Sequence, residues 1–255
     1  MSIVFDRIAS SSLMSKVTTL KSSGKVTFAN YYGMNDADEC ECFETSHCIL
    51  IRKQERDFYR LYIVSTDDNE LFQLIGKLDS VKYVLNIPSK GDVTEQKEFL
   101  EKAGFSFIGV YNRFYNNHII NRECDEEEFA VENDHDEIKH LLYDNFSFYT
   151  DHLPSEDDLM VMIRNHGIVV NRFDDGKVGG FVIHTIEGKK AYINAWLDKT
   201  GNGLRLMVQT YNLIERQGIK YAYLWINAQN RNVIVLHKMM GARPDGLADY
   251  SFIKQ

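Results

Sequence analysis

The chain has 255 residues, 44% of them hydrophobic and 12% aromatic, with three prolines and a net charge of −8. That is enough chain for one large core or two small ones, and its negative charge argues against a nucleic-acid or anionic-membrane surface. No apolar run reaches the ~18–20 residues of a membrane span. The start, Met1-Ser2-Ile3-Val4-Phe5-Asp6-Arg7, lacks the basic head and apolar core of a signal peptide, so a cytoplasmic location is the expectation.

In chain order, a hairpin is predicted from His47 to Arg52 and Phe58 to Val64, around Gln54-Glu55-Arg56. A helix from Asn69 to Leu78, a strand from Lys82 to Ile87 and a helix from Thr94 to Ala103 follow, the last stopped by Gly104. Phe105 to Tyr115 reads as a strand. An acidic linker, Glu123 to Glu128, then divides the chain into expected domains 1–125 and 126–255. Helical spacing returns at Asp134 to Tyr143 and after Ser155, which can cap a helix running through Ile163. Gly167 to Asn171 and Val178 to Thr185 flank Asp174-Asp175-Gly176, a strong hairpin signal. Glu187-Gly188 turns into an apolar strand, Ala191 to Leu197. A helix to Gln217, a strand from Tyr221 to Ile226, a helix from Val233 to Met240 and a short strand from Tyr250 to Ile253 complete the chain. Hairpin, helix, strand, helix-glycine and strand occur in the same order in both halves, the signature of an internal repeat. The fold class is therefore α/β, of the α+β mixed-sheet kind.

Four cysteines are too few to staple a chain of this length. Cys40, Cys42 and Cys48 cluster beside His47, yet a zinc site wants pairs at C-x2–4-C spacing. Cys40 and Cys42 are one residue apart in an acidic run of Asp36, Asp38, Glu39, Glu41 and Glu44. The pattern reads as a solvated loop with incidental thiols, and no metal is expected.

The most informative stretch is Thr200-Gly201-Asn202-Gly203, between the strand ending at Leu197 and an amphipathic helix. That helix is expected to bury Leu204, Met207, Val208, Tyr211 and Ile214. A glycine turn into a helix leaves backbone N–H groups at the positive end of the macrodipole, where a phosphate or pyrophosphate binds. A bare strand–helix turn needs no ligand. The second segment, Asn230 to Gly241, changes the reading.

Together these residues resemble the GNAT superfamily of N-acetyltransferases. The family's R/Q-x-x-G-x-G/A motif aligns with Asp198-Lys199-Thr200-Gly201-Asn202-Gly203, and its N-x-x-A-x-x-x-Y-x-x-x-G-F segment with Asn230 to Ala242. The resemblance covers Glu126 to Lys254. Because Phe99-Leu100-Glu101-Lys102-Ala103-Gly104-Phe105 carries the same ending, the chain resembles a tandem of two acyl-CoA N-acyltransferase-like domains. The resemblance implies acetyl-CoA as cosubstrate. It implies that Ile193, Asn194 and Ala195 present backbone groups to the pantetheine arm. It implies that Thr200, Gly201, Asn202, Gly203 and Leu204 surround the pyrophosphate, and that Asn230 contacts the cofactor. Asp198 stands where Arg or Gln is usual, so Lys199 and Arg205 are expected to supply the missing charge. His237 stands at the usual Tyr position, and its reference pKa of ~6.5 suits proton transfer to the departing thiolate near neutral pH. In the first half, Ser65-Thr66-Asp67-Asp68-Asn69-Glu70 replaces the glycine turn. Its acidic residues would repel a pyrophosphate, and Leu100 at the acid position has no proton to give.

For the base that takes the amine's proton, His184, Glu187, Tyr149, Asp151 and His152 all remain candidates. Tyr192, Tyr211, Tyr221, Tyr223 and Trp196 read as core residues at strand and helix spacing. The resemblance implies acetyl transfer to a primary amine of a small molecule. Two other readings fit the same residues: a non-catalytic CoA-binding or interaction protein, and an acyltransferase with a longer acyl donor. Oligomeric state and the identity of the amine leave no mark in the sequence.

Overall fold

The computed structural model describes residues 3–31, 40–119 and 122–255. The chain divides into two units. Unit 1 is Met1–Val110 with Ala248–Gln255, and unit 2 is Tyr111–Leu247. The division falls ahead of the acidic linker expected to mark it, and the last eight residues return to unit 1. A linker's composition reports solvation, whereas the division follows strand pairing.

Unit 1 runs β1 (Asp6–Ile8), α1 (Ser10–Ser23), β2 (Phe28–Ala29), β3 (Cys40–Glu44), β4 (Cys48–Glu55), β5 (Phe58–Ser65), α2 (Asp68–Ile75), β6 (Tyr83–Ser89), α3 (Thr94–Lys102) and the start of β7 (Ser106–Asn116). Its sheet is antiparallel from β1 through β3 and β4 to β5, and parallel between β5 and β6. The predicted hairpin is β4–β5, in register from Cys48↔Ser65 to Glu55↔Phe58. Cys40, Cys42 and Cys48 are buried in strands rather than solvated, and burial pushes the Cys42 and Cys48 thiols up to about 11. Asp36, Asp38 and Glu39 lie outside the described residues. Among the described residues no group of three His, Cys, Asp or Glu side chains is placed to hold a metal.

Unit 2 continues with β8 (Glu128–Phe129), α4 (His135–Asn145), α5 (Glu156–Arg164), β9 (Ile168–Arg172), β10 (Val178–Glu187), β11 (Lys190–Asp198), α6 (Gly203–Arg216), β12 (Tyr221–Asn227), α7 (Arg231–Met239) and the start of β13 (Arg243–Lys254). Its strand order is β7-β12-β11-β10-β9-β8, with β11 and β12 parallel. Ser155 caps α5 as expected: its hydroxyl accepts from Asp158 N–H at 3.1 Å, and the Asp158 carboxylate accepts from Ser155 N–H at 3.3 Å. One apolar cluster packs α6 against β11 and β12 through Leu206, Met207, Tyr211, Ile193 and Leu224. Another packs α4 and α5 against β9 and β10 through Ile138, Leu142, Leu159, Ile163 and Phe181. Of the face expected to be buried on α6, Met207, Tyr211 and Ile214 are buried and Val208 is half-buried, whereas Leu204, in the first turn, is 43% exposed. Among the described residues no helix is long and apolar enough to cross a membrane.

The C-terminal strand is longer than the sequence suggests. It pairs antiparallel with β6 from Ala248↔Ser89 to Lys254↔Tyr83. Phe252 is fully buried in the unit 1 core, edge-on to Phe107 at 5.5 Å. The Lys254 ammonium donates to the Ile75 and Ala103 carbonyls, at the C-terminal ends of α2 and α3. The last strand is therefore a structural member of a unit made otherwise from the chain's beginning. Replacing Phe252 by Ala removes a core ring and leaves a cavity, at a cost of about 3–5 kcal/mol. Urea melts followed by circular dichroism check this; a loss under about 1 kcal/mol would show that β13 is dispensable to unit 1.

Candidate functional site

The site begins with a ladder that stops. Strands β11 and β12 pair in parallel over four residues, from Lys190↔Tyr221 to Ile193↔Leu224, and no further. At the same point β11 bulges against β10. Ile183 faces Ala195 and His184 faces Ile193, so Asn194 is the extra residue. A bulge bends its strand and leaves the extra residue out of the ladder. Beyond it the two strands diverge, and Ile193–Trp196 face Leu224–Asn227 across a cleft of about 550 Å³. Tyr111, Asn145, Phe146 and Asp151 close one side; Gln229, Asn230, Val233 and His237 close another. Ile193, Asn194 and Ala195 thus line the cleft at the point where β11 diverges from β12.

The glycine turn adjoins this cleft through Trp196. A Cβ on Gly203 would lie 3.2 Å from Trp196 Cζ2 and 3.2 Å from Asp198 Cβ, so a side chain there would require these neighbours to give by a few tenths of an ångström. Gly201 has φ +84°, which only glycine adopts without strain. Helix α6 carries no acidic residue in its first turn, and Asn202 makes no side-chain cap. Its first internal bond runs from Leu206 N–H to Asn202 O, so the N–H groups of Gly203, Leu204 and Arg205 precede the helical ladder. Lys199 and Leu204 are exposed, and Thr200 to Arg205 lie outside the cleft lining itself. Arg205 is not a free cation: it pairs with Asp125 at 2.9 Å. The Asp198 carboxylate accepts from the Thr200 hydroxyl at 2.7 Å and so stiffens the turn. Asn230 caps α7, accepting from Val233 N–H at 3.3 Å, and also lines the cleft.

His237 is the one fully buried residue of α7. Its ring stands edge-on to Trp196 at 5.2 Å. Neither ring nitrogen has a hydrogen-bond partner in the protein, and neither does Trp196 Nε1. Both side chains line the cleft. Burial pushes the imidazole down to about 4, away from the ordinary value expected of it from sequence. At neutral pH it is uncharged, able to donate or accept one hydrogen bond but unable to act as an imidazolium acid.

Of the five candidate bases, only Asp151 reaches the cleft. The loop after α4 presents it. Its Oδ2 accepts from Ser147 N–H at 2.7 Å and from the Thr150 hydroxyl at 3.2 Å, and Thr150 lies 3.1 Å from the Tyr111 hydroxyl. Burial raises its pKa. Glu187 accepts from the Tyr223 hydroxyl at 2.9 Å, and His184 is buried in β10. The tyrosines expected in the core divide. Tyr211 is buried, whereas Tyr192, Tyr221 and Tyr223 are half-buried, with Tyr192 and Tyr223 stacked at 4.9 Å. Sequence reading misses Tyr111, Phe146, Trp225 and Asn227. The signal for two of them is the alternation Tyr221, Tyr223, Trp225, Asn227 against Ala222, Leu224, Ile226.

Among the described residues, unit 1 has the corresponding strands but no such opening. Strands β5 and β6 pair in parallel at Tyr59↔Tyr83 and Arg60↔Val84. Past that point β2 pairs with β5, and Asn30 fills the gap. Asn30 Nδ2 donates to the Leu61 and Asn86 carbonyls at 3.1 and 2.9 Å, and its Oδ1 accepts from Ile63 N–H at 2.6 Å. Arg60, 1% exposed, bonds Glu55 and Asn86. At the start of α2, Asp67 caps Asn69 N–H and Glu70 N–H at 2.9 and 3.1 Å, as its acidic sequence suggests.

Several solved structures share this fold. A GCN5-related N-acetyltransferase from Sphaerobacter thermophilus is 11% identical, with 88% of this chain and 82% of that one covered and a TM-score of 0.61. A GNAT-family acetyltransferase from Colwellia psychrerythraea is 12% identical, with 99% and 100% covered and a TM-score of 0.56. A tandem GNAT protein from the clavulanic acid biosynthesis pathway is 9% identical, with 99% and 98% covered and a TM-score of 0.58. No protein-family model and no curated protein matches the chain. The fold is that of the GNAT acyl-CoA N-acyltransferases, tandem members included.

Burial of neutral His237 ties stability to pH. Its folded pKa lies below the unfolded ~6.5, so the unfolded chain takes up a proton first. Stability is full above about pH 6.5 and falls as pH drops toward 4. The loss between pH 7 and 4.5 is roughly 2–3 kcal/mol. His184, also pushed down to about 4, adds in the same direction. Urea melts of His237→Phe should show a pH slope smaller by about that amount; equal slopes in both proteins would mean the ring is not buried neutral.

Proposed function

We propose that the protein is an N-acyltransferase that moves an acetyl group from acetyl-CoA to a primary amine of a small molecule. The observation that supports this most is the cleft of unit 2, where a splayed strand edge meets unpartnered buried nitrogens, with the uncapped start of α6 adjoining it through Trp196. These residues fit the group. The backbone of Ile193, Asn194 and Ala195 would hold the pantetheine arm. The N–H groups of Gly203, Leu204 and Arg205 would face the pyrophosphate. Asn230 would meet the arm from the opposite wall. When bound, acetyl-CoA supplies an activated thioester.

The reaction forms a bond from the amine nitrogen to the acyl carbon, breaks the C–S bond and carries one proton from amine to sulfur. The cleft walls orient the amine, which alone can be worth ~7–11 kcal/mol. Asp151 takes the amine's proton; its raised pKa makes it a stronger base than an exposed carboxylate. His237 acts as a neutral imidazole, donating a hydrogen bond where sulfur charge grows, in place of the acid assigned to it from sequence. The final proton then comes from water or from the amine by way of the cleft.

Titration calorimetry with acetyl-CoA, octanoyl-CoA and CoA, run alongside thiol release with a panel of amines, tests this. Binding of acetyl-CoA with turnover is expected. No binding of any of the three sinks the proposal. Equal binding of CoA and acetyl-CoA without turnover selects a second reading, a CoA-binding protein without catalysis, which the carboxylate of Asp198 and the uncharged His237 favour. Asp198→Asn removes a negative charge beside the helix start and should tighten CoA binding ~3–10-fold at low salt. Gly203→Asp should abolish it. Unchanged affinity in both variants would show that the turn is not the phosphate site.

A further inference from the structure

We infer that the acceptor is a primary-amine cation whose body is flat or apolar and carries no anionic group, as in an arylalkylamine, and that Asp151 and the aromatic wall of the cleft select it. This rests on the proposed acyl transfer and narrows its substrate class. Among the described residues lining the cleft, Asp151 is the only charged side chain, since His237 is neutral. A lone carboxylate in a cleft of about 550 Å³ attracts an ammonium ion and repels a carboxylate or phosphate. An amino acid or a phosphorylated amino sugar would need an arginine or lysine to meet its anion, and among the described residues the lining offers none. On the same sheet face, beyond the lining, Arg113 pairs with Asp245 and lies over the Trp225 ring, its centre 5.8 Å away. Its charge is thus already matched.

The body of the ligand meets Tyr111, Phe146, Trp196 and Trp225. The β7–β12 register sets Tyr111 opposite Asn227 and Arg113 opposite Trp225, so the pleat brings Tyr111 and Trp225 to one face. Aromatic walls hold flat and apolar groups by area and by ring geometry, and hold cations through their faces. The remaining polar lining side chains, Asn145, Asn194, Asn227, Gln229 and Asn230, are uncharged amides. Burial of Asp151 adds to the argument, because a carboxylate that has lost water gains more from an ammonium partner.

The test uses the full chain. Calorimetry at neutral pH with 2-phenylethylamine, hexylamine and phenylalanine, in the presence and absence of CoA, compares bodies of similar size that differ in the anion. Both amines should bind, and phenylalanine should bind at least tenfold more weakly. Asp151→Asn should weaken the two amines at least tenfold while leaving acetyl-CoA affinity within about twofold. Phenylalanine binding as tightly as 2-phenylethylamine, no binding of either amine, or amine affinity unaffected in Asp151→Asn each overturns the inference. Acetyl-CoA binding and thiol release, read on the same protein, report separately on acyl transfer. Turnover of an amino acid in preference to its decarboxylated analogue would sink the inference and leave the acyltransferase standing.

Discussion

The cleft of unit 2 follows from where one parallel ladder ends. Four residue pairs hold β11 to β12, and the bulge at Asn194 stops the pairing. Each strand edge freed this way presents N–H and C=O groups that cost free energy if buried without partners. A sheet opened in its middle is stable only if something else meets those groups. In unit 1 the chain provides that something itself. Segment β2 and the Asn30 amide take up the inner edge of β5, and Arg60 and Asn86 seal the rest. Among the described residues unit 2 has no such insert in the same place, and its edge lines a cleft large enough for an elongated ligand. One architecture thus yields a closed unit and an open one, and the difference is a short polar segment rather than a change of fold.

The helix starts differ in the same sense electrostatically. Asp67 uses the first N–H groups of α2, with Asp68 and Glu70 beside it, so that end carries its own counter-charge. Helix α6 begins with glycine and leucine and has no carboxylate in its first turn. The field at its start is left for an incoming anion, tempered by Asp198 two residues before Thr200. That aspartate stiffens the turn through Thr200. It does so at a position where its charge opposes a pyrophosphate, so the two demands on it conflict.

Much of this is legible in the sequence because it depends on local chemistry. Glycine turns, caps and alternating strands act over a few residues, and the hairpins, α2, α3, α5, α6 and β12 lie where their patterns put them. The acidic start of α2 can be read as self-capping from Asp67 to Glu70 alone. What cannot be read depends on partners distant in sequence. The return of β13 to β6 joins residues 163 and 165 positions apart in the Asn86 bonds to Asp249 and Ser251. The closure of unit 1 by Asn30 gives no local sign, since one asparagine after a short strand looks like a turn. The burial of His237 is hidden for the same reason. Its helix is mostly exposed, and only the meeting of α7 with Trp196 removes that one ring from water.

His237 shows how function and stability pull on the same atoms. A buried imidazole with no partner on either nitrogen forgoes hydrogen bonds it would have in water, a cost on the order of 1–3 kcal/mol per unsatisfied group. Trp196 adds a third such nitrogen in the same wall. An apolar ring at either position would pack as well at less cost, so packing does not account for them. The loss is offset when water or a polar ligand in the cleft takes a hydrogen bond from one of these nitrogens. The neutral state of the ring belongs to the same balance. A charged imidazolium in this position would need a counter-ion, and among the described lining residues only Asp151 carries a negative charge.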